Sequence, residues 1–183
     1  MPANRIWVNV PKGGDTVFVT FGTPETERVL EQPTIRDLMV ATLVDVCSMS
    51  ETQLHAFAVL PHTVHFLATT ASHWEPADLV RRIKHEAAKQ VLPLVSEECR
   101  EALAALGTES EHLIWTKNYR SILIRTPKAL AERIEYIHEN PVHMGLANEP
   151  EEYRWSSARM YREGRFDPEG HLDLGYLYSL FGA

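Results

Sequence analysis

Four side chains in this sequence are spaced so that two secondary elements could turn them toward one reacting group. Thr63 and His65 stand two residues apart in the β-branched and apolar run Thr63-Val64-His65-Phe66-Leu67. A strand there would put the hydroxyl and the imidazole on one face. Tyr136 and Asn140 stand four apart in Tyr136-Ile137-His138-Glu139-Asn140, so a helix would stack a phenol and a carboxamide one turn apart. A phenol is a nucleophile once activated, and imidazole, hydroxyl and amide are groups that can hold a cation or orient the group under attack. Each residue also has a plain structural reading. A strand histidine can be half-buried on a hydrogen bond, and a tyrosine can pack amphipathically at an edge. His62 precedes Thr63 by one residue, so regular strand alternation aims it at the face opposite His65.

The elements that must position these groups follow from patterning. Gly13-Gly14 forms a turn, and Thr16 to Phe21 is β-branched and aromatic, a strand. Pro33 and Thr34 open a helix whose Ile35, Leu38, Met39, Thr42 and Val46 share a face. Leu54 to Leu60 and Val64 to Thr69 are two strands joined at Pro61-His62, too short a link for anything but an antiparallel hairpin. A second helix starts near Pro76, with Leu79, Ile83, Ala87 and Val91 as its buried stripe. Ser96 caps a short helix that runs to Leu106 and ends at Gly107. Arg120 to Arg125 is a fourth strand. A helix from Pro127 to about Glu139 follows, stopped by Pro141, with an apolar stripe of Leu130, Ile134 and Ile137. Tyr136 lies off that stripe. The order predicts an α+β fold, a ferredoxin-like βαββαβ antiparallel sheet with helices on one face and an added C-terminal helix. The expected organisation is one domain over residues 1–165, with an apolar tail over 166–183 that packs on the domain or at a dimer interface.

Composition narrows the class. The chain has 183 residues, 44% of them hydrophobic, enough for one buried core. Two cysteines in apolar contexts, Cys47 and Cys99, suggest reduced thiols and no disulfide framework. Thr52 to Trp74 lacks Asp, Glu, Lys and Arg, yet Pro61 and four histidines exclude a membrane span. A cytoplasmic protein is expected. The formal charge of −7 argues against wholesale coating of a nucleic acid. Basic residues nevertheless cluster locally, with Arg81, Arg82, Lys84 and Lys89 against Glu86 alone between residues 80 and 91.

Three ordered motifs carry a resemblance. Val59-Leu60-Pro61-His62-Thr63-Val64-His65-Phe66-Leu67 resembles the strand that gives the HUH single-tyrosine transposases their paired histidines. Glu135-Tyr136-Ile137-His138-Glu139-Asn140-Pro141-Val142-His143-Met144-Gly145-Leu146 is similar to their tyrosine helix and turn. Tyr153-Arg154-Trp155-Ser156-Ser157 is similar to a Tyr-x-Trp-Ser-Ser segment that follows, and Trp115 to Arg125 matches a further strand more loosely. The sequence resembles the REP-associated tyrosine transposase branch from about Val17 to Tyr161. That resemblance implies a dimeric domain acting on hairpin single-stranded DNA, with Tyr136 as the nucleophile that forms a 5′-phosphotyrosine. It implies a Mg²⁺ or Mn²⁺ ion held by His65, Asn140 and a histidine at position 63.

Here the chain departs from the pattern, because position 63 is threonine. A hydroxyl is a weak neutral ligand and does not replace an imidazole at equal affinity. His62 could approach only through a bulge after Pro61. Three readings therefore stand. The chain is a tyrosine-dependent single-strand DNA endonuclease or transposase, a catalytically silent DNA-binding derivative, or a ferredoxin-like scaffold with no nucleic-acid role. For the first two, Arg81, Lys84, Lys89, Lys117, Arg120 and Arg125 are the expected DNA contacts, with a solvated charged face as the alternative. Trp155 is read as a core anchor, and His138 and His143 as surface residues.

Overall fold

A computed structural model describes residues 11–24, 28–105 and 114–182. Strands β1 (Thr16–Gly22), β2 (Gln53–Val59), β3 (Thr63–Thr69) and β4 (Arg120–Ile124) form one sheet in the order β2-β3-β1-β4, antiparallel at every pair. Helix α1 (Pro33–Met49) links β1 to β2, while α2 (Pro76–Val91) and α3 (Glu97–Ala105) lie between β3 and β4. The expected α+β connectivity is present, with β1 and β3 at the centre.

Strand alternation sorts the sheet into two unlike faces. Val17, Val19 and Phe21 of β1 and Val64, Phe66 and Ala68 of β3 turn toward α1 and α2, which pack on each other over that face. Each fully buried aliphatic side chain there contributes ~2 kcal/mol. The opposite face carries Phe18, Ala56, Ala58, Leu60, Leu67 and Ile124, over which Ile137 of α4 (Pro127–His143) packs. The added helix therefore crosses the sheet from the other side, and the fold has three layers. Pro127 stands at its first turn, and the Thr126 hydroxyl accepts the Ala129 N–H at 3.1 Å.

Pro141 does not stop α4, contrary to the sequence reading. The helix runs on to His143 and takes Pro141 into its last turn, where only one ladder donor is missing. Gly145 ends it instead, at φ +70°, with the Leu146 N–H returning to the Pro141 carbonyl at 2.8 Å. Residues 150–161 then run beside β2 as a strap. The Val59 N–H donates to the Trp155 carbonyl at 2.8 Å, and the Ser157 N–H donates to the Phe57 carbonyl at 3.0 Å. Two short helices close the described chain, α5 (Ala158–Glu163) and α6 (Leu174–Phe181). Helix α6, within the apolar tail, packs against α1 and buries Leu177. Among the described residues no helix is long and apolar enough to cross a membrane.

Candidate functional site

On the α4 side of the sheet, register places Ala58, His65, Thr20 and Arg120 in one row across β2, β3, β1 and β4. Leu67 and Phe18 lie in the next row, and Thr63 and Gly22 pair on the other side. His65 is 6% exposed, its Nδ1 2.8 Å from the Thr20 hydroxyl and its ring stacked on Phe18 at 5.8 Å. Burial pulls its pKa down to about 4, so the imidazole is neutral at pH 7.

α4 lowers Tyr136 onto this row. The phenol ring meets both His65 and Phe18 edge-on at 5.8 Å, yet the residue stays 43% exposed. Among the described residues its hydroxyl has no hydrogen-bond partner. Arg133, one turn earlier, holds its guanidinium carbon 5.0 Å from the Phe18 ring centre and 5.5 Å from that of Tyr136. Asn140 donates through Nδ2 to the Tyr136 backbone carbonyl at 3.0 Å, leaving its own carbonyl oxygen available. Thr63 is half-buried at the mouth of the site. Beside it, an open groove of about 310 Å³ is lined by His62, Thr63, Thr20, Asn118, Tyr119 and Arg120. The floor stays low at Gly22, where an added Cβ would meet the His62 carbonyl at 2.4 Å.

The structure thus brings Tyr136, His65, Asn140 and Thr63 to one side of the sheet. It does not bring His62 to them. β3 runs in unbroken register with β1 from Thr63 to Thr69, and the one irregularity lies on β2 between Leu54 and Ala56. No bulge turns His62 around, and its Nε2 sits 3.5 Å from Glu31 instead.

The cationic residues divide as well. Lys84 is buried, donates to the Thr116 carbonyl at 3.0 Å and has its pKa lowered by burial to about 8. It joins α2 to the segment before β4, an arrangement completed by the Trp115 indole donating to the Lys84 carbonyl at 2.7 Å. Arg81 and Lys117 line a smaller pocket of about 130 Å³ with Lys84 and Tyr119, although Arg81 also holds Asp78 at 2.7 Å. Arg120 and Arg125 are exposed at the two ends of β4, and Lys89 is exposed on the last turn of α2. His138 is buried, not on the surface: its Nε2 lies 2.8 Å from the Ser157 hydroxyl and its ring 4.9 Å from Tyr161. Trp155 is half-buried and donates to Asp37 at 2.7 Å, with Arg36 3.8 Å over its ring.

For a divalent ion these donors are a sparse set. Thr20 already engages His65 Nδ1, which leaves one imidazole nitrogen, a neutral hydroxyl and a neutral amide, with no carboxylate. Mg²⁺ and Mn²⁺ favour carboxylate and carbonyl oxygens, water and substrate phosphates, and carboxylates are the group missing here. Among the described residues the acid and imidazole groups that do cluster are Asp167, Glu169 and His171, on the loop before α6. There the Asp167 carboxylate is taken up by the Glu169 and His171 N–H groups and the His171 ring.

No protein-family profile matches this chain, and no curated protein matches it. Among solved structures it is similar to a REP-associated tyrosine transposase bound to a REP hairpin, with a TM-score of 0.63 and 21% identity over 91% of this chain and 89% of that one. This chain has the fold of a REP-associated tyrosine transposase. A chain from Deinococcus radiodurans assigned as a transposase matches with a TM-score of 0.45 and 18% identity, over 67% of this chain and 87% of that one. Within this fold, the Tyr136 motif supplies an exposed tyrosine, whereas the Tyr153–Ser157 motif is the strap. Sequence reading missed Phe18, Thr20 and Arg133. The signal for Arg133 was its place three residues before Tyr136 on a helix. Thr20 and Phe18 become visible only once strand register is known.

Proposed function

We propose that this protein binds hairpin single-stranded DNA in the cytoplasm and acts on it as a transposase-like strand-transfer enzyme, with Tyr136 as nucleophile. The observation that carries the reading is the Tyr136 phenol, exposed and without a hydrogen-bond partner among the described residues, set beside neutral His65 and Arg133. In the reaction, a Tyr136 Oη–phosphorus bond forms and the phosphorus–O3′ bond breaks. The phenolic proton passes to solvent and the leaving 3′ oxygen takes one up, giving a 5′-phosphotyrosine and a free 3′-hydroxyl. Asn140 and His65 orient the phosphate under attack.

The groove supports a path for the strand. Tyr119 offers a stacking surface, Arg120 and Lys117 are exposed to backbone phosphates, and Arg81 and Arg125 extend the basic margin. A homodimer is the proposed assembly. The outer edge of β4 has no strand partner among the described residues, whereas the strap occupies the outer edge of β2. The second reading, a silent DNA-binding derivative, is favoured by Thr63 and the thin ligand set around it.

Covalent trapping of a labelled hairpin oligonucleotide, taken from the sequence flanking the protein's own gene, separates the two. An adduct formed by wild type and lost in Tyr136→Phe supports the enzyme. An adduct seen only when Thr63→His completes a two-histidine face, with Mn²⁺ added, supports the silent derivative. Failure of wild type to bind the hairpin at low salt sinks both.

A further inference from the structure

The cleft has a cation of its own. Most described arginines hold a carboxylate, as Arg82 holds Glu86 at 3.1 Å and Arg159 holds Glu163 at 2.7 Å. Arg133 holds none among the described residues, although the chain carries a formal charge of −7 and Glu132 precedes it. Glu132 lies 3.8 Å from Lys128 instead. The guanidinium rests over two aromatic rings, one of which belongs to the nucleophile. A guanidinium held by ring faces uses none of its five N–H donors there, so they remain for an incoming anion. Arg120 lies on the same side of the sheet, beside Thr20 in the His65 row.

From this placement we infer that Arg133 receives the phosphodiester under attack and stabilises the charge that develops on it, so that strand cleavage by Tyr136 proceeds without a divalent ion. The inference rests on the nuclease reading above and names the group that balances charge within it. A planar fork of N–H donors matches two phosphate oxygens at once, and in a partly buried cleft such bonds are stronger than in water. Bond changes are those already given: Oη–phosphorus forms and phosphorus–O3′ breaks, while Arg133 stays protonated throughout. The donor set around His65, weak toward Mg²⁺ or Mn²⁺, then needs no completion.

The test is single-turnover adduct formation on the labelled hairpin in EDTA and in Mn²⁺, with wild type, Arg133→Gln and Arg133→Lys, alongside hairpin affinity at several salt concentrations. Thermal melts confirm that the variants fold. The expected result is an adduct in EDTA at a rate close to that in Mn²⁺, a loss of roughly 100-fold in Arg133→Gln, and partial recovery in Arg133→Lys. An adduct that vanishes in EDTA, or one whose rate Arg133→Gln leaves unchanged, overturns the inference. If wild type binds the hairpin and forms no adduct in either buffer, the inference is overturned while DNA recognition stays intact. Absence of binding by wild type overturns the DNA reading itself and this inference with it.

Discussion

In the strap, polar groups are matched. Ser157 Oγ accepts the Phe57 N–H at 2.9 Å and bonds His138 at 2.8 Å, and the Tyr153 hydroxyl donates to the Val59 carbonyl at 2.8 Å. Burial pushes the Tyr153 phenol up to about 12, so it stays a neutral donor. In the cleft, a tyrosine and a histidine of similar ring geometry are left half-matched. Tyr136 has no partner for its hydroxyl among the described residues, Arg133 no carboxylate, and His65 a bond at Nδ1 only. Both regions are built from motifs that carry the sequence resemblance. Hydrogen-bond saturation separates them: the strap uses its polar groups to close the β2 edge and hold α4, and the cleft keeps its own available for a ligand.

The largest effect expected on that contrast is an acid one. His55, His65 and His138 are each held near a pKa of about 4, chiefly by burial, against about 6.5 in an unfolded chain. The unfolded state therefore binds more protons between those values. Stability is full above pH ~6.5 and falls as pH drops toward 4, by on the order of 1–3 kcal/mol for each imidazole. Denaturant melts across that window measure it. Replacing His65 or His138 by Gln should remove a similar share of the slope, since burial sets both. A slope carried by one of them alone would break the symmetry.

Ser157→Ala comes next. It leaves the buried Phe57 N–H and the His138 ring without their shared hydroxyl and costs about 2 kcal/mol. A melting temperature equal to wild type would mean the strap is not a fastening. Gly145→Ala is smaller, about 1 kcal/mol, because the site is open to an added Cβ and the cost lies in the left-handed backbone alone. Urea midpoints would show it. Smallest of all, Tyr136→Phe should change stability by less than ~0.5 kcal/mol while removing every trace of covalent adduct. A destabilised Tyr136→Phe would place the phenol among the fastenings.

Much of this was legible in the chain because it is local. Alternation in Thr63-Val64-His65 fixed which face each side chain takes, and the stripe of Leu130, Ile134 and Ile137 set Tyr136 to one side. What escaped was set by contacts distant in sequence. Thr20 joins His65 only through the β1–β3 register, and Lys84 turns inward because a carbonyl at Thr116 waits for it. His138 looked like a surface group because its partner lies 19 residues on, in the strap. Pro141 misled for the opposite reason: a rule about helix interiors was applied to a last turn, where Gly145 was the true end.

The strap has a consequence for synthesis. The row beneath Tyr136 draws on β1, β3 and β4, and the helix above it is fastened by Ser157. Contacts so far apart in sequence form late in folding. On a ribosome, Ser157 is translated after all four sheet strands. A truncated or still-growing chain therefore lacks the fastening of α4 over the sheet. The surface around Tyr136 is therefore among the last parts of the molecule to be completed.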